Sequence, residues 1–397
     1  MNGGKPMRLS SCLLLLVGFG LACASGPKEA PLRESELPSR QPEGMRTERT
    51  SRAVSYEAAH RDNLIHGIAG DEALIFVTEP LAKQVAVLDR FTGKQVASLP
   101  HPEGEGLVLP FTLRVPKSGH LVVLDAGGFP SPTAQAIPRV YDYAYSYEPR
   151  GGGFTARITR TVRFDGHPVA FSEDLEVLSN GSYVMSESVF GGLWVIRPDG
   201  TIAPGVVPES PDKPLPALGP CPLANADVDG IPFKLGFGPG VGSLAERDGQ
   251  LYFGSTCRGG IHRIPVASLL DGSRTPVQRA QDIQTVSPRP EGTAVETLKG
   301  LAFNRFNPAD RWLYVGDPFR LRLLRVDVTT GERQVVGEDP RLFNFSVATA
   351  FLPPVHGDES PLVVSSDQEH RLAALNPGIA QDQFQAPFVV TKVFPKP

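Results

Sequence analysis

Three familiar signatures are missing from this chain: a GxSxG nucleophile elbow, an HExxH helix and a GxxxxGK[ST] phosphate loop. Their absence counts against several common hydrolase and nucleotide-dependent classes. No long basic block occurs, and the formal net charge is -4, so nothing points to a nucleic-acid partner. Cysteine is scarce. Cys12 falls inside an apolar N-terminal run and Cys23 at its end, which leaves only Cys221 and Cys257. Neither has a histidine or further cysteine nearby at zinc-site spacing, which sets thiolate zinc ligation aside. Two remaining cysteines in an exported chain favour a disulfide; two buried free thiols are the alternative.

What the chain has in quantity is turn residues. Glycine (41) and proline (39) are both abundant, as many short strands joined by turns require. With 397 residues and a hydrophobic fraction of 41%, the chain can bury a large core. The first 22 residues read as a secretory signal: Lys5 and Arg8 precede the run Leu9 to Leu21, too short and poorly flanked for a permanent span. The sequence GLAC at 20–23 resembles a bacterial lipobox, although Gly20 stands where leucine is usual. That resemblance implies cleavage before Cys23 and a lipid on it, so membrane contact is expected there. Residues 23–58 then form a flexible tether, rich in Pro, Glu, Arg and Ser and poor in large apolar groups. The expected location is the bacterial cell envelope, with secretion as the alternative, and the head is expected to be a monomer.

From 59 to 397 a unit recurs: apolar strand, acidic or small polar break, second apolar strand, turn. Residues 173–200 show it best, with an Asn180-Gly181 hairpin turn and a second stop at Pro198-Asp199-Gly200. The break falls at Glu79, Asp125, Glu187, Ser255, Asp317 and Asp367. Six such units predict an all-β fold, one six-bladed β-propeller. Recurrence once per blade gives these acids a structural task, accepting backbone N–H groups in turns. Phe388 to Phe394 is the expected ring-closing strand, completing the first blade, with material near Thr50 to Val54 as the competitor. His370 to Leu375 is read as the third strand of the sixth blade.

Two stretches depart from the repeat. Tyr141, Tyr143, Tyr145 and Tyr147 lie at period two and share one strand face, suited to packing or to lining a ligand cleft. The insertion at about 208–242 contains Asn225, Asp227, Asp229 and Gly230, spaced like the start of a calcium loop. Position 236 is glycine where that loop needs glutamate, so an ordinary Asp-Gly turn is expected. The insertion itself is placed over the propeller mouth.

GLAFNRFNPADRWLYVGDPFRLRLLRVDV, residues 300–328, resembles the fifth-blade region of the gluconolactonase/SMP-30-like group of six-bladed propellers. EDLEVLSNGSYVMSES, residues 173–188, resembles esterase-like propellers related to phytases. The resemblance implies a divalent cation, commonly calcium, at one end of the central channel, polarising a lactone or ester carbonyl. From the residues themselves the metal candidates are Glu173 and Asp174, adjacent acids at the start of an inner strand, with Asn63 as a partner. Asp174 and Glu176 share a strand face. His66 is the candidate general base, and His66, Glu173 and Asp174 form the expected catalytic set. Lys299 occupies the place where the group carries an asparagine; a lysine aimed at the channel repels a metal or supplies the charge itself.

Two readings follow. One is a metal-dependent hydrolase of a lactone or related ester, using Ca2+ or another divalent cation. The other is a non-enzymatic propeller that binds an envelope protein or glycan through its upper face and the insertion. The acids at 173 and 174 favour the first and Lys299 the second.

Overall fold

The computed structural model describes residues 50–57 and 63–395, except 105, 131–135, 149–152, parts of 211–224, 235–239, 292, 294–295 and 356–358. The expected signal, the lipidated Cys23 and the tether up to residue 49 lie outside the described residues. So does Cys221, whereas Cys257 is buried and disulfide-bonded.

The described residues form six four-stranded antiparallel sheets, the blades of a six-bladed β-propeller. Counted from the channel outward, the inner strands are Ile68–Gly70, Pro110–Lys117, Leu175–Val177, Val241–Arg247, Lys299–Phe303 and Ser346–Phe351. The second strands, Leu74–Glu79, His120–Asp125, Tyr183–Glu187, Gln250–Ser255, Trp312–Asp317 and Leu362–Ser366, end at the six repeated polar positions or one residue before. Leu74–Glu79, Tyr183–Glu187, Trp312–Asp317 and Leu362–Ser366 are buried at every position. A blade is covered on both faces by its neighbours, so these strands read as continuous apolar runs rather than alternating ones.

Apolar clusters fill the gaps between successive blades. Phe76 and Val87 of the first blade pack on Leu113 and Tyr143 of the second, and Val363 and Val390 of the sixth return to Ile75 and Val77 of the first. The ring therefore closes through side chains. Its backbone closure differs from the sequence expectation. Val389–Pro395 pairs with Leu362–Ser366 as the third strand of the sixth blade, and Thr50–Glu57 pairs outside it as the fourth. The first blade is already complete, with local hairpins through Gln84–Asp89 and Gln95–Ser98. The end of the expected tether is thus the closing strand. His370 to Leu375 is not a strand either. Gln368 adopts φ 56° and turns the chain into a 3-10 turn, Glu369–Arg371.

The tyrosine stripe is packing. Tyr141, Tyr143 and Tyr145 are buried against the first blade, with Tyr145 Oη 2.6 Å from Asp71 Oδ2 and Tyr143 Oη 3.2 Å from Pro100 O. The insertion carries a separate hairpin, Asn225–Val228 with Ile231–Lys234. Asp229 (φ 53°) and Gly230 (φ 74°) form its turn, and the Gly230 N–H donates to Asp227 Oδ1 at 2.9 Å, as an Asp-Gly hairpin turn requires.

Asp125, Glu187 and Asp367 perform the turn role expected of the repeated acids, whereas Glu79 accepts from the side-chain amides of Asn63 and Gln84. Asp125 accepts from the N–H groups of Val108, Leu109 and Gly127 at 2.7, 2.8 and 2.9 Å. Glu187 accepts from Ala170, Phe171, Val189, Phe190 and Gly191. Asp317 differs, taking the guanidinium groups of Arg320 and Arg322. Asp125→Ala would strand three donors around a fully buried carboxylate and is expected to cost about 3 kcal/mol in urea unfolding. A loss below half a kcal/mol would remove the structural role.

Candidate metal centre in the central channel

Antiparallel pairing places the start of each inner strand beside the end of the second strand. Lys299 lies opposite Gly316, and Ser346 opposite Ser366. Residues that begin or precede inner strands (His66, Glu173, Lys299) therefore share one face with Asp367 and Glu369, which follow a second strand. At the centre of that face Lys299 Nζ lies 2.5 Å from Glu173 Oε1 and 2.5 Å from Glu369 Oε2. All three side chains are buried. Burial opposes the ammonium, but the two carboxylates outweigh it and raise the Lys299 pKa.

His66 is fixed beside them. Its ring lies 3.7 Å, centroid to centroid, from Phe111, and Nδ1 is 2.9 Å from Phe111 O. A carbonyl only accepts, so Nδ1 carries the proton and Nε2 the lone pair. Burial, reinforced by Lys299, holds the imidazole pKa well below its ordinary value, so the ring is neutral. Among the described residues Nε2 has no hydrogen-bond partner, and neither has Asp367 Oδ2, 3.9 Å away. Asp367 Oδ1 accepts the Glu369 N–H at 2.8 Å. Burial, followed by the Glu369 charge, raises the Asp367 pKa well above the usual carboxylate range.

One ligand atom each from His66, Asp367 and Glu369 lie within 4.8 Å of one another. This cluster can coordinate a divalent metal ion. Orphaned buried polar atoms are rare and costly, and two of the three groups present one. The residues fit a cation.

The expected ligands are distributed differently. Glu173 stands at the edge of the cluster with Lys299 on Oε1. Asp174 is turned to Arg114, whose Nη2 sits 2.8 and 2.9 Å from its two oxygens. It also accepts from Thr112 Oγ1, Leu175 N and Leu244 N at 3.0, 2.8 and 2.7 Å, so no oxygen is left for a metal. Glu176 shares the Asp174 face, as its spacing requires, and pairs with Arg114 Nε at 2.9 Å. Burial pushes its carboxyl up to about 7. Asn63 donates to Glu79 Oε2 at 3.4 Å in the first blade and does not join the cluster. A small channel cavity, of about 10 Å³, does bring His66, Glu173, Asp174 and Arg114 together.

Sequence reasoning placed Asp367 among the structural acids and left Glu369 unnoticed. A signal was available: of the six repeated positions, only Asp367 is followed two residues later by a second acid and then a histidine. Backbone strain marks the same place. Phe345 and Gln368 are non-glycine residues with φ 62° and 56°, and both flank the cluster.

The Asn225–Lys234 hairpin docks beside the turn that carries Glu369, where Arg371 Nη2 reaches Asp229 Oδ2 at 2.8 Å. Phe233 packs 5.6 Å from Phe345 and 5.4 Å from Phe319, while Phe345 stacks on His370 at 5.1 Å.

No protein-family model and no curated protein matches the sequence. Among solved structures, the chain is similar to the major allergen Mala s 1 of Malassezia sympodialis, at 9% identity and a TM-score of 0.57, covering 86% of this chain and 96% of that one. It is also similar to a structural-genomics protein of unknown function from Bacteroides thetaiotaomicron, at 11% identity and 0.53, covering 86% and 72%. A gluconolactonase from Xanthomonas campestris aligns at 11% identity and 0.47, covering 87% and 91%. At these identities the likeness is one of fold.

Proposed function

We propose that this propeller is a hydrolase of a lactone or related ester that uses one divalent cation held by His66, Asp367 and Glu369. The observation that carries the proposal is the pair of unpartnered buried atoms, His66 Nε2 and Asp367 Oδ2, facing each other at 3.9 Å. Each such atom left unsatisfied costs about 1–3 kcal/mol, which a cation between them would offset. A neutral imidazole nitrogen with two carboxylates suits a zinc- or manganese-type ion, whereas calcium takes six to eight oxygens. The bound ion would supply Lewis acidity toward a carbonyl oxygen and a water acidified toward neutral pH.

The chain's own groups prepare that place. Phe111 O fixes the His66 tautomer, so that the lone pair points into the cluster. Lys299 holds Glu369 from the other side and keeps a positive charge beside any oxyanion formed there. We place this head at the bacterial envelope, carried by a lipid on Cys23.

One observation favours the binding-protein reading: the Asn225–Lys234 hairpin, an element outside the blades, docks on Phe345 and on the turn that carries Glu369. Aryl esters and lactones assayed with protein loaded with zinc, manganese or calcium separate the two. Cation-dependent hydrolysis, lost at least a hundredfold in Asp367→Asn, is the expected result. No turnover with any loaded form would leave the envelope-binding reading.

A further inference from the structure

We infer that the Asn225–Lys234 hairpin is a lid over the His66–Asp367–Glu369 cluster, latched to the turn that carries Glu369. The inference deepens the cation-site reading and rests on it for its purpose. Its structural basis is separate.

The hairpin forms its own two-stranded sheet and, among the described residues, pairs with no blade strand. An isolated two-stranded hairpin is marginal in water, so this one depends on what it docks against. Among the described residues its polar anchors fall on one short segment, 371–376. Arg371 Nη2 reaches Asp229 Oδ2 at 2.8 Å. Asn376 Nδ2 bridges Pro232 O at 3.1 Å and His370 O at 2.6 Å, while its Oδ1 accepts the Lys234 N–H at 3.1 Å. Val228 and Phe233 supply the apolar contact, against Leu321, Phe345 and Val347. Arg371, His370 and Glu369 are consecutive, so the latch and a candidate ligand belong to one 3-10 turn.

What lies beneath explains why a cover is needed. His370 is fully buried, and neither ring nitrogen has a hydrogen-bond partner among the described residues. Lys299 Nζ lies 5.9 Å from the Phe345 ring, on which the hairpin's Phe233 also packs. A hairpin closed over polar atoms that it does not bond excludes bulk water without satisfying them. Such an arrangement suits a site that fills when the cover lifts.

Two measurements on the full chain test the lid, and neither needs a bound cation. The first is hydrogen exchange of the unaltered protein. Amides of 225–234 are expected to exchange at least tenfold faster than those of Lys299–Phe303, through local opening; exchange as slow as the blade's would make the hairpin a fixed part of the fold. The second is carbethoxylation by diethyl pyrocarbonate, read residue by residue by mass spectrometry. In Asp229→Ala, His370 is expected to react at least tenfold faster than in the parent, with exposed His101 unchanged. An unchanged His370 rate, with exchange showing the hairpin released, would overturn the lid. Protein that binds no cation yet shows both effects would keep the lid and reject the cation site.

Discussion

Replacing Lys299 with methionine is expected to destabilise the propeller by about 3–5 kcal/mol, the usual cost of removing one partner from a buried ion pair. The ammonium is the shared counter-ion of Glu173 and Glu369, at 2.5 Å from each, and neither carboxylate has water to turn to. Methionine fills the volume of the stem but leaves like charges facing each other, with Asp367 close by. The loss carries a pH signature. Burial already raises the Glu369 pKa in the parent, and removing the ammonium raises it further. A carboxyl whose folded pKa exceeds its unfolded value is destabilising when ionised. The penalty is therefore full above the folded pKa and is relieved as pH falls toward the unfolded value. Urea unfolding at several pH values should show the variant approaching the parent on the acid side. Zinc or manganese should also recover part of the loss, because a cation that binds only the folded form adds stability by mass action. A pH-independent loss below 1 kcal/mol would mean that Lys299 is not the counter-ion described.

Arg114→Met is the second large effect, again about 3–5 kcal/mol, because one guanidinium serves the buried Asp174 and the half-buried Glu176. Arg114 binds Asp174 through Nη2 and Glu176 through Nε, and it spans the channel to Leu244 O. Arg114→Lys should recover less than half the loss. A single ammonium cannot reproduce a planar fork directed at two carboxylates. Recovery to within half a kcal/mol would show that charge alone matters there. This arginine also decides how Asp174 is read. Adjacent acids at the start of an inner strand look like a hard-oxygen site only until the guanidinium that neutralises one of them is located, and Arg114 comes from a different blade.

The blades were legible because their information is local. Asn180-Gly181 and Asp229-Gly230 are turns in the sequence and turns in the structure. The runs Leu74–Glu79 and Trp312–Asp317 are apolar because both faces of a blade are covered. Ring closure was less legible. Thr50–Glu57 follows a polar tether poor in large apolar residues, and its pairing with Val389–Pro395 makes it a strand. The cluster was least legible. His66 was named, but its partners Asp367 and Glu369 lie some 300 residues further along, brought near only when the sixth blade meets the first. Lys299 was recognised as a charge in the channel, and the structure supplies the two carboxylates it holds.

The most direct test of the account is the metal content of the full chain purified without chelator, compared with that of His66→Ala. The account predicts close to one zinc- or manganese-type ion per chain after loading, with affinity at least tenfold weaker once the imidazole is gone. Equal binding by both proteins, or none by either at millimolar cation, would contradict it.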